Sequence, residues 1–146
     1  MGGPTWTTDS KVGSGAVSFG GSNANRISTA DAPFNFGMNS FSIGFWARPT
    51  VLGTNYGLVT KIPPTQASGW AIWSTSTGME FWVRSDATHF TRSTLTTFAN
   101  QWVYVVGVVN RADDTVTIYK NSVAQKPVSI SGYGTFDIAG NLLIGN

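Results

Sequence analysis

Apolar and polar residues alternate along most of this chain with a period of two rather than the 3.6 of a helix. In Phe41-Ser42-Ile43-Gly44-Phe45-Trp46-Ala47-Arg48, the residues Phe41, Ile43, Phe45 and Ala47 share one face of an extended strand, and Ser42, Gly44, Trp46 and Arg48 share the other. Glu80-Phe81-Trp82-Val83-Arg84 repeats the design, with Phe81 and Val83 opposed to Glu80, Trp82 and Arg84. The pattern predicts strands over 16–20, 25–28, 41–48, 56–61, 70–74, 79–85, 89–93, 102–110, 115–120, 128–131 and 142–145. Residues 102–109 are apolar on both faces, which predicts a central strand covered on both sides. Turn chemistry separates the runs. Ser76-Thr77-Gly78 reads as a tight hairpin, Arg111-Ala112-Asp113-Asp114 and Lys120-Asn121-Ser122-Val123 as further reversals, and Pro63-Pro64 as a break in pairing. Many short strands with turns between them predict an all-β, two-sheet antiparallel sandwich, with Phe41, Ile43, Phe45, Phe81, Val83, Ile118 and Ile144 inside.

Composition agrees and narrows the classes. The 146 residues suit one domain spanning 1–146, and that length buries a full core. Only 11% of residues are charged, and Ser, Thr, Asn and Gly fill the polar positions, as in turn-rich β-proteins. The net charge of +2 comes from scattered basic residues with no stripe, so no nucleic-acid partner is expected. The absence of cysteine excludes disulfides and thiolate metal sites. No apolar run reaches the roughly 20 residues of a membrane span, and the start of the chain holds no stretch resembling a signal peptide, so export would use another route, a removed leader or a parent chain.

Five segments carry a family resemblance. They are Val12-Gly13-Ser14-Gly15-Ala16-Val17-Ser18-Phe19-Gly20-Gly21, Phe41 to Pro49, Asn100-Gln101-Trp102-Val103-Tyr104-Val105-Val106-Gly107, Val116-Thr117-Ile118-Tyr119-Lys120-Asn121-Ser122-Val123, and Leu142-Leu143-Ile144-Gly145-Asn146. In order and spacing they resemble a laminin-G-like domain of the concanavalin A-like lectin/glucanase superfamily, which implies a jelly-roll sandwich. Members of that family usually have one strand before the first segment and another after the last; this chain has a stub of the former and none of the latter. The resemblance places Val17–Gly20 beside both missing strands. Three resolutions follow: a fold-back of Met1–Thr8 anchored by Trp6, a longer parent chain, or strand addition from another subunit, with self-association through the open edge expected.

Catalytic constellations are not apparent. Glycoside hydrolysis needs two carboxyl groups about 5–9.5 Å apart; Glu80 is the only glutamate, and Asp113 and Asp114 are adjacent in a turn. Glu80 reads as a surface or ion-pair residue. His89 is the only histidine, no nucleophile elbow surrounds a serine, and Asp9, Asp31, Asp86 and Asp137 are isolated, so no cofactor is expected and Ca²⁺ has no sequence support. One constellation stands out: Trp46-Ala47-Arg48 and Trp82-Val83-Arg84 each put a tryptophan and an arginine opposite the core face, and Trp73 joins them if Trp70 and Ile72 point inward. An indole is a flat apolar platform for a sugar, and a guanidinium beside it is a planar donor fork. The alternative use of these residues is packing on a partly roofed sheet.

The expectation is a non-catalytic binding or adhesion module for a glycan or a surface protein, with candidate ligand residues Trp46, Arg48, Trp73, Trp82 and Arg84. The setting is extracellular, on a cell surface or on a virion surface. The alternatives are a structural or assembly protein of a virion or extracellular filament and, behind both, a glycoside hydrolase.

Overall fold

The computed structural model describes residues 3–21, 25–53, 56–62 and 67–145, which leaves Pro63-Pro64 outside the described residues. The strands are β1 (Thr5–Thr7), β2 (Ala16–Ser18), β3 (Ile27–Thr29), β4 (Phe41–Ala47), β5 (Tyr56–Lys61), β6 (Gly69–Ser74), β7 (Gly78–Arg84), β8 (Phe90–Thr96), β9 (Val103–Asn110), β10 (Thr115–Lys120), β11 (Val123–Ala124), β12 (Val128–Ser129) and β13 (Leu142–Ile144), with one 3-10 turn at Ala32–Phe34. Every pairing is antiparallel. A six-stranded sheet runs β3-β13-β5-β6-β7-β8, and a five-stranded sheet runs β11-β10-β9-β4 with β12 also on β10. The predicted sandwich is thus the observed one.

The core lies between the two sheets. Ile72, Met79, Phe81 and Val83 of one sheet meet Val105, Val109, Val116 and Ile118 of the other, all fully buried. Burying a ring such as that of Phe81 contributes about 1.5–3 kcal/mol. The sheets come closest where Phe81 lies on Gly107: a Cβ added there would stand 2.8 Å from Phe81 Cδ1 and Cγ. The Ser93 hydroxyl bridges the sheets, accepting from Ile118 N–H (3.0 Å) and donating to the Lys126 carbonyl (3.2 Å). Phe41, Ile43 and Phe45 face the core as their alternation predicts, but stay half-buried because β4 pairs with β9 alone. Ile144 is likewise only partly buried.

Two expectations need correction. β9 is central in its sheet but covered on one face only: Val103, Val105 and Val109 are buried, whereas Tyr104, Val106 and Val108 are half-exposed, flanked by Trp46, Gly44 and Ser42 of β4 with no third layer among the described residues. The fold-back at the start of the chain does form, as β1 pairs Thr5, Trp6 and Thr7 with Ser18, Val17 and Ala16. Trp6 does not anchor it, being 82% exposed. The β1–β2 hairpin is held instead by an Asp9–Arg48 ion pair, by Lys11 lying 5.3 Å over the Trp46 ring, and by Phe19 against Gly145. Gly145 has φ +69°, and a side chain there would overlap the Phe19 ring.

Candidate functional site

The outward face of the six-stranded sheet follows from register. On β7, Met79, Phe81 and Val83 point into the core, so Glu80, Trp82 and Arg84 point out. On β6, Trp70 and Ile72 are buried inward, which sends Trp73 outward, directly opposite Glu80. On β8, Ser93 and Leu95 face inward, so Phe90, Arg92 and Thr94 share the outer face, with Arg92 opposite Trp82 and Thr94 opposite Glu80.

The face is an aromatic and polar patch. Arg92 Nε lies 3.2 Å from Glu80 Oε2, and the Arg92 guanidinium lies 5.8 Å over the Phe90 ring. Trp82 packs against Phe90 with centroids 5.2 Å apart at 51°. Trp82 is only 7% exposed and forms the floor of the patch, whereas Phe90 is 43% exposed and Trp73 is half-buried. Trp73 and Phe90 therefore offer the accessible ring surfaces. They sit on strands two apart and are offset by four residues along them, Trp73 being level with Glu80 and Thr94 and Phe90 level with Arg84; their backbone positions are therefore roughly 16 Å apart, with the Glu80–Arg92 pair between them.

The other candidates lie elsewhere or are already engaged. Trp46 and Arg48 belong to the outer side of the five-stranded sheet, so the two Trp-x-Arg segments do not form one platform. Trp46 packs on Tyr104 (centroids 5.2 Å apart), and Arg48 pairs with Asp9 and lies 5.7 Å over Trp102. Arg84 spends its fork on its own turn, donating from Nε to the Asp86 carbonyl (2.8 Å) and from Nη2 to that of Ala87 (3.3 Å). The cation between the two rings is Arg92, paired with Glu80, which the reading of Trp-x-Arg missed. The signal was the period-two run Phe90-Thr91-Arg92-Ser93-Thr94, but its match with Glu80 depends on the β7–β8 register.

The remaining ionisable groups organise loops at one end of the sandwich. The Asp86 carboxylate accepts from Thr88 N–H and hydroxyl (2.8 Å each) and from His89 N–H (2.9 Å), and these bonds hold it well below the usual carboxylate range. The hydrogen bond from Lys61 lowers the Asp31 carboxyl. Lys61 itself is fully buried and also donates to the Ile138 carbonyl. Burial pushes the Arg111 guanidinium down; its fork donates to the Tyr133 (3.1 Å) and Gly134 (2.7 Å) carbonyls above the Phe136 ring. Among the described residues no three His, Cys, Asp or Glu side chains converge on a metal position. Open depressions of about 460 Å³ beside Trp6 and Gly15 and about 320 Å³ beside Phe41 and Val108 lie away from the patch. Among the described residues no helix is long and apolar enough to cross a membrane.

Comparison with known proteins fixes the family. No curated protein sequence matches the chain significantly. Among solved structures, the binding domain of Paraclostridial Mosquitocidal Protein 1 superposes with a TM-score of 0.81 at 17% identity, covering 97% of this chain and 37% of that one. The binding domain of botulinum neurotoxin serotype G gives 0.73 at 16% identity, covering 97% and 38%. Domain 4 of AbnA, an extracellular arabinanase from Geobacillus stearothermophilus solved with arabinotriose, gives 0.73 at 16%, covering 99% and 66%. The chain thus spans less than two-fifths of the toxin binding domains, and at these identities the likeness is one of fold. The laminin-G-like resemblance holds at the same level, that of the jelly-roll sandwich. The family profile described as Clostridium neurotoxin, N-terminal receptor binding, matches residues 6–144, and with nearly the whole chain inside that match, this protein belongs to the clostridial neurotoxin N-terminal receptor-binding family.

Proposed function

We propose that this receptor-binding-family domain is a non-catalytic module that recognises carbohydrate outside the cell, on the outer face of β6–β8. The observation that carries the reading is the grouping of Trp73, Phe90 and the Glu80–Arg92 pair on that face. Ring faces at Trp73 and Phe90 favour sugar C–H surfaces, and the ion pair supplies both donors and acceptors for hydroxyls. Glu80 offsets Arg92 between the two rings, so the middle of the patch carries no net charge, which suits a neutral sugar. The arabinotriose bound by a domain of the same fold is consistent support. The laminin-G-like segments are, on this reading, the scaffold shared by carbohydrate-binding sandwiches.

Hydrolysis has no support in the geometry. Glu80 is held by Arg92, its neighbours on the face are Trp73 and Thr94, and Asp113 and Asp114 lie in the β9–β10 turn. Retaining and inverting mechanisms both need a second carboxyl group beside the first.

A neutral-glycan array followed by calorimetry tests the proposal. Trp73→Ala and Arg92→Ala should each abolish binding of the best sugar while leaving the unfolding midpoint close to that of the parent. Binding that survives both substitutions removes the site, and turnover of any glycan that disappears in Glu80→Gln overturns the non-catalytic assignment.

A further inference from the structure

The two ends of the sandwich differ in character. Four loops meet at one end. The loop after β4 and the loop before β9 are joined by Asn100 N–H donating to the Pro49 carbonyl (2.8 Å). The β10–β11 turn is tied beside them by Asn121 N–H to the Tyr104 carbonyl (2.9 Å), and Lys120 Nζ reaches the Thr96 carbonyl (2.6 Å) at the end of β8. The β1–β2 loop arrives through Asp9–Arg48 and Lys11–Trp46. Each of these loops carries one large apolar side chain turned to solvent: Val12 at 67%, Val51 at 68%, Phe98 at 63% and Val123 at 64% exposure. Lys11, Arg48 and Lys120 stand among them, with Asp9 the one acidic residue there among those described. Five of the seven acidic residues (Asp31, Asp86, Asp113, Asp114 and Asp137) lie at the opposite end, in or against the β7–β8 and β9–β10 turns and the segments before β4 and β13.

From this geometry we infer that the end bearing Val12, Val51, Phe98 and Val123 docks on the surface of a bilayer containing anionic lipid. Exposed apolar groups of this size lose free energy in water, and a cluster of them marks an interaction surface. They sit apart, on three loops and at the start of β11, each beside Ser, Thr, Asn or Gly, rather than on one flat patch. A fluid headgroup region accepts separated tips without matching their shape, whereas a folded protein partner would have to. With Arg48 offset by Asp9, Lys11 and Lys120 complement a negative leaflet, and the acidic opposite end orients the domain with this end towards it. Docking by this end leaves the outer face of β6–β8 along the side of the domain, so the two surfaces act independently.

The test is co-sedimentation of the protein with phosphatidylcholine vesicles, with and without phosphatidylserine, at low and at physiological ionic strength. The expected result is binding that requires phosphatidylserine and weakens with salt. The double variant Val51→Asp/Phe98→Asp should lose at least about tenfold in affinity, and Lys11→Glu should lose binding mainly at low salt. Met38→Asp, an exposed apolar position before β4, should bind as the parent does, and Met38→Asp and Val51→Asp/Phe98→Asp should keep the parent's unfolding midpoint. No sedimentation with either vesicle, or equal sedimentation of the parent and the Val51→Asp/Phe98→Asp variant, overturns the inference. The first result would leave this end to a protein partner.

Discussion

Gly107→Ala is the most direct probe of how the two sheets meet. The added methyl stands 2.8 Å from Cδ1 and Cγ of Phe81 and 3.0 Å from Cε1, inside carbon–carbon contact. Phe81 has little room to retreat. Its strand neighbours in register are Ile72 and Ser93, and the Phe41 ring meets it edge-on with centroids 6.4 Å apart. Overpacking of a tight core site costs about 1–3 kcal/mol. That is a large fraction of the roughly 5–15 kcal/mol that holds a domain together. Urea unfolding followed by tryptophan fluorescence reads the loss as a lower midpoint at unchanged slope; with a slope of about 1–3 kcal/mol per molar, the midpoint should fall by roughly 1 M. Phe81→Ala removes Cγ, Cδ1 and Cε1, the atoms that the methyl strikes, so the double variant should be more stable than the two single losses predict, with a coupling of about 0.5–3 kcal/mol. A Gly107→Ala loss below about 0.5 kcal/mol, or additivity in the cycle, would mean that the sheets do not touch at Gly107 and Phe81.

Two further outcomes follow from the loops and the open edge. Because the bonds from Thr88 and His89 depress the folded-state pKa of Asp86, its stabilisation is present above the unfolded carboxyl value near 4 and is lost as pH falls through the lower folded value. Asp86→Asn should therefore lower the thermal midpoint at pH 7, and the gap from the parent should narrow in a series below pH 4; a constant gap would show that the carboxylate charge is irrelevant. Among the described residues no strand pairs with the outer edge of β4, and that edge should recruit a second copy, so light scattering at micromolar protein should give a mass above 15.6 kDa that falls on dilution; a constant 15.6 kDa species refutes the pairing.

Strand positions were legible because alternation is a local property. β5 and β10 occupy 56–61 and 115–120 as read, and the Asn121-Ser122 turn uses two positive φ angles, 48° and 70°, that polar turn residues tolerate. The makeup of the candidate patch was less legible. Alternation shows that Trp46 and Trp82 both leave the core face of their strands, but not which sheet each strand joins, and that is decided by crossovers between distant segments. The Arg84 fork turned to its own loop because the β7–β8 turn brings two carbonyls within reach, a feature with no residue signature. Arg92 joined the patch, paired with Glu80, only once register set β8 against β7. Lys61 is the clearest case of tertiary context overriding residue type: a lysine in the interior is tolerated because Asp31 and the Ile138 carbonyl receive its ammonium.

The position of β13 has a consequence for synthesis on the ribosome. β3, formed by residues 27–29, has no sheet partner except β13, formed by residues 142–144, which inserts between β3 and β5. The six-stranded sheet therefore cannot gain its β3 edge until Leu142–Ile144 has left the exit tunnel. Until then the edge of β5 stays available to solvent and to neighbouring nascent chains. Closure between segments so far apart in the chain is entropically slow, so the yield of folded protein should depend on how long that half-built sheet is shielded.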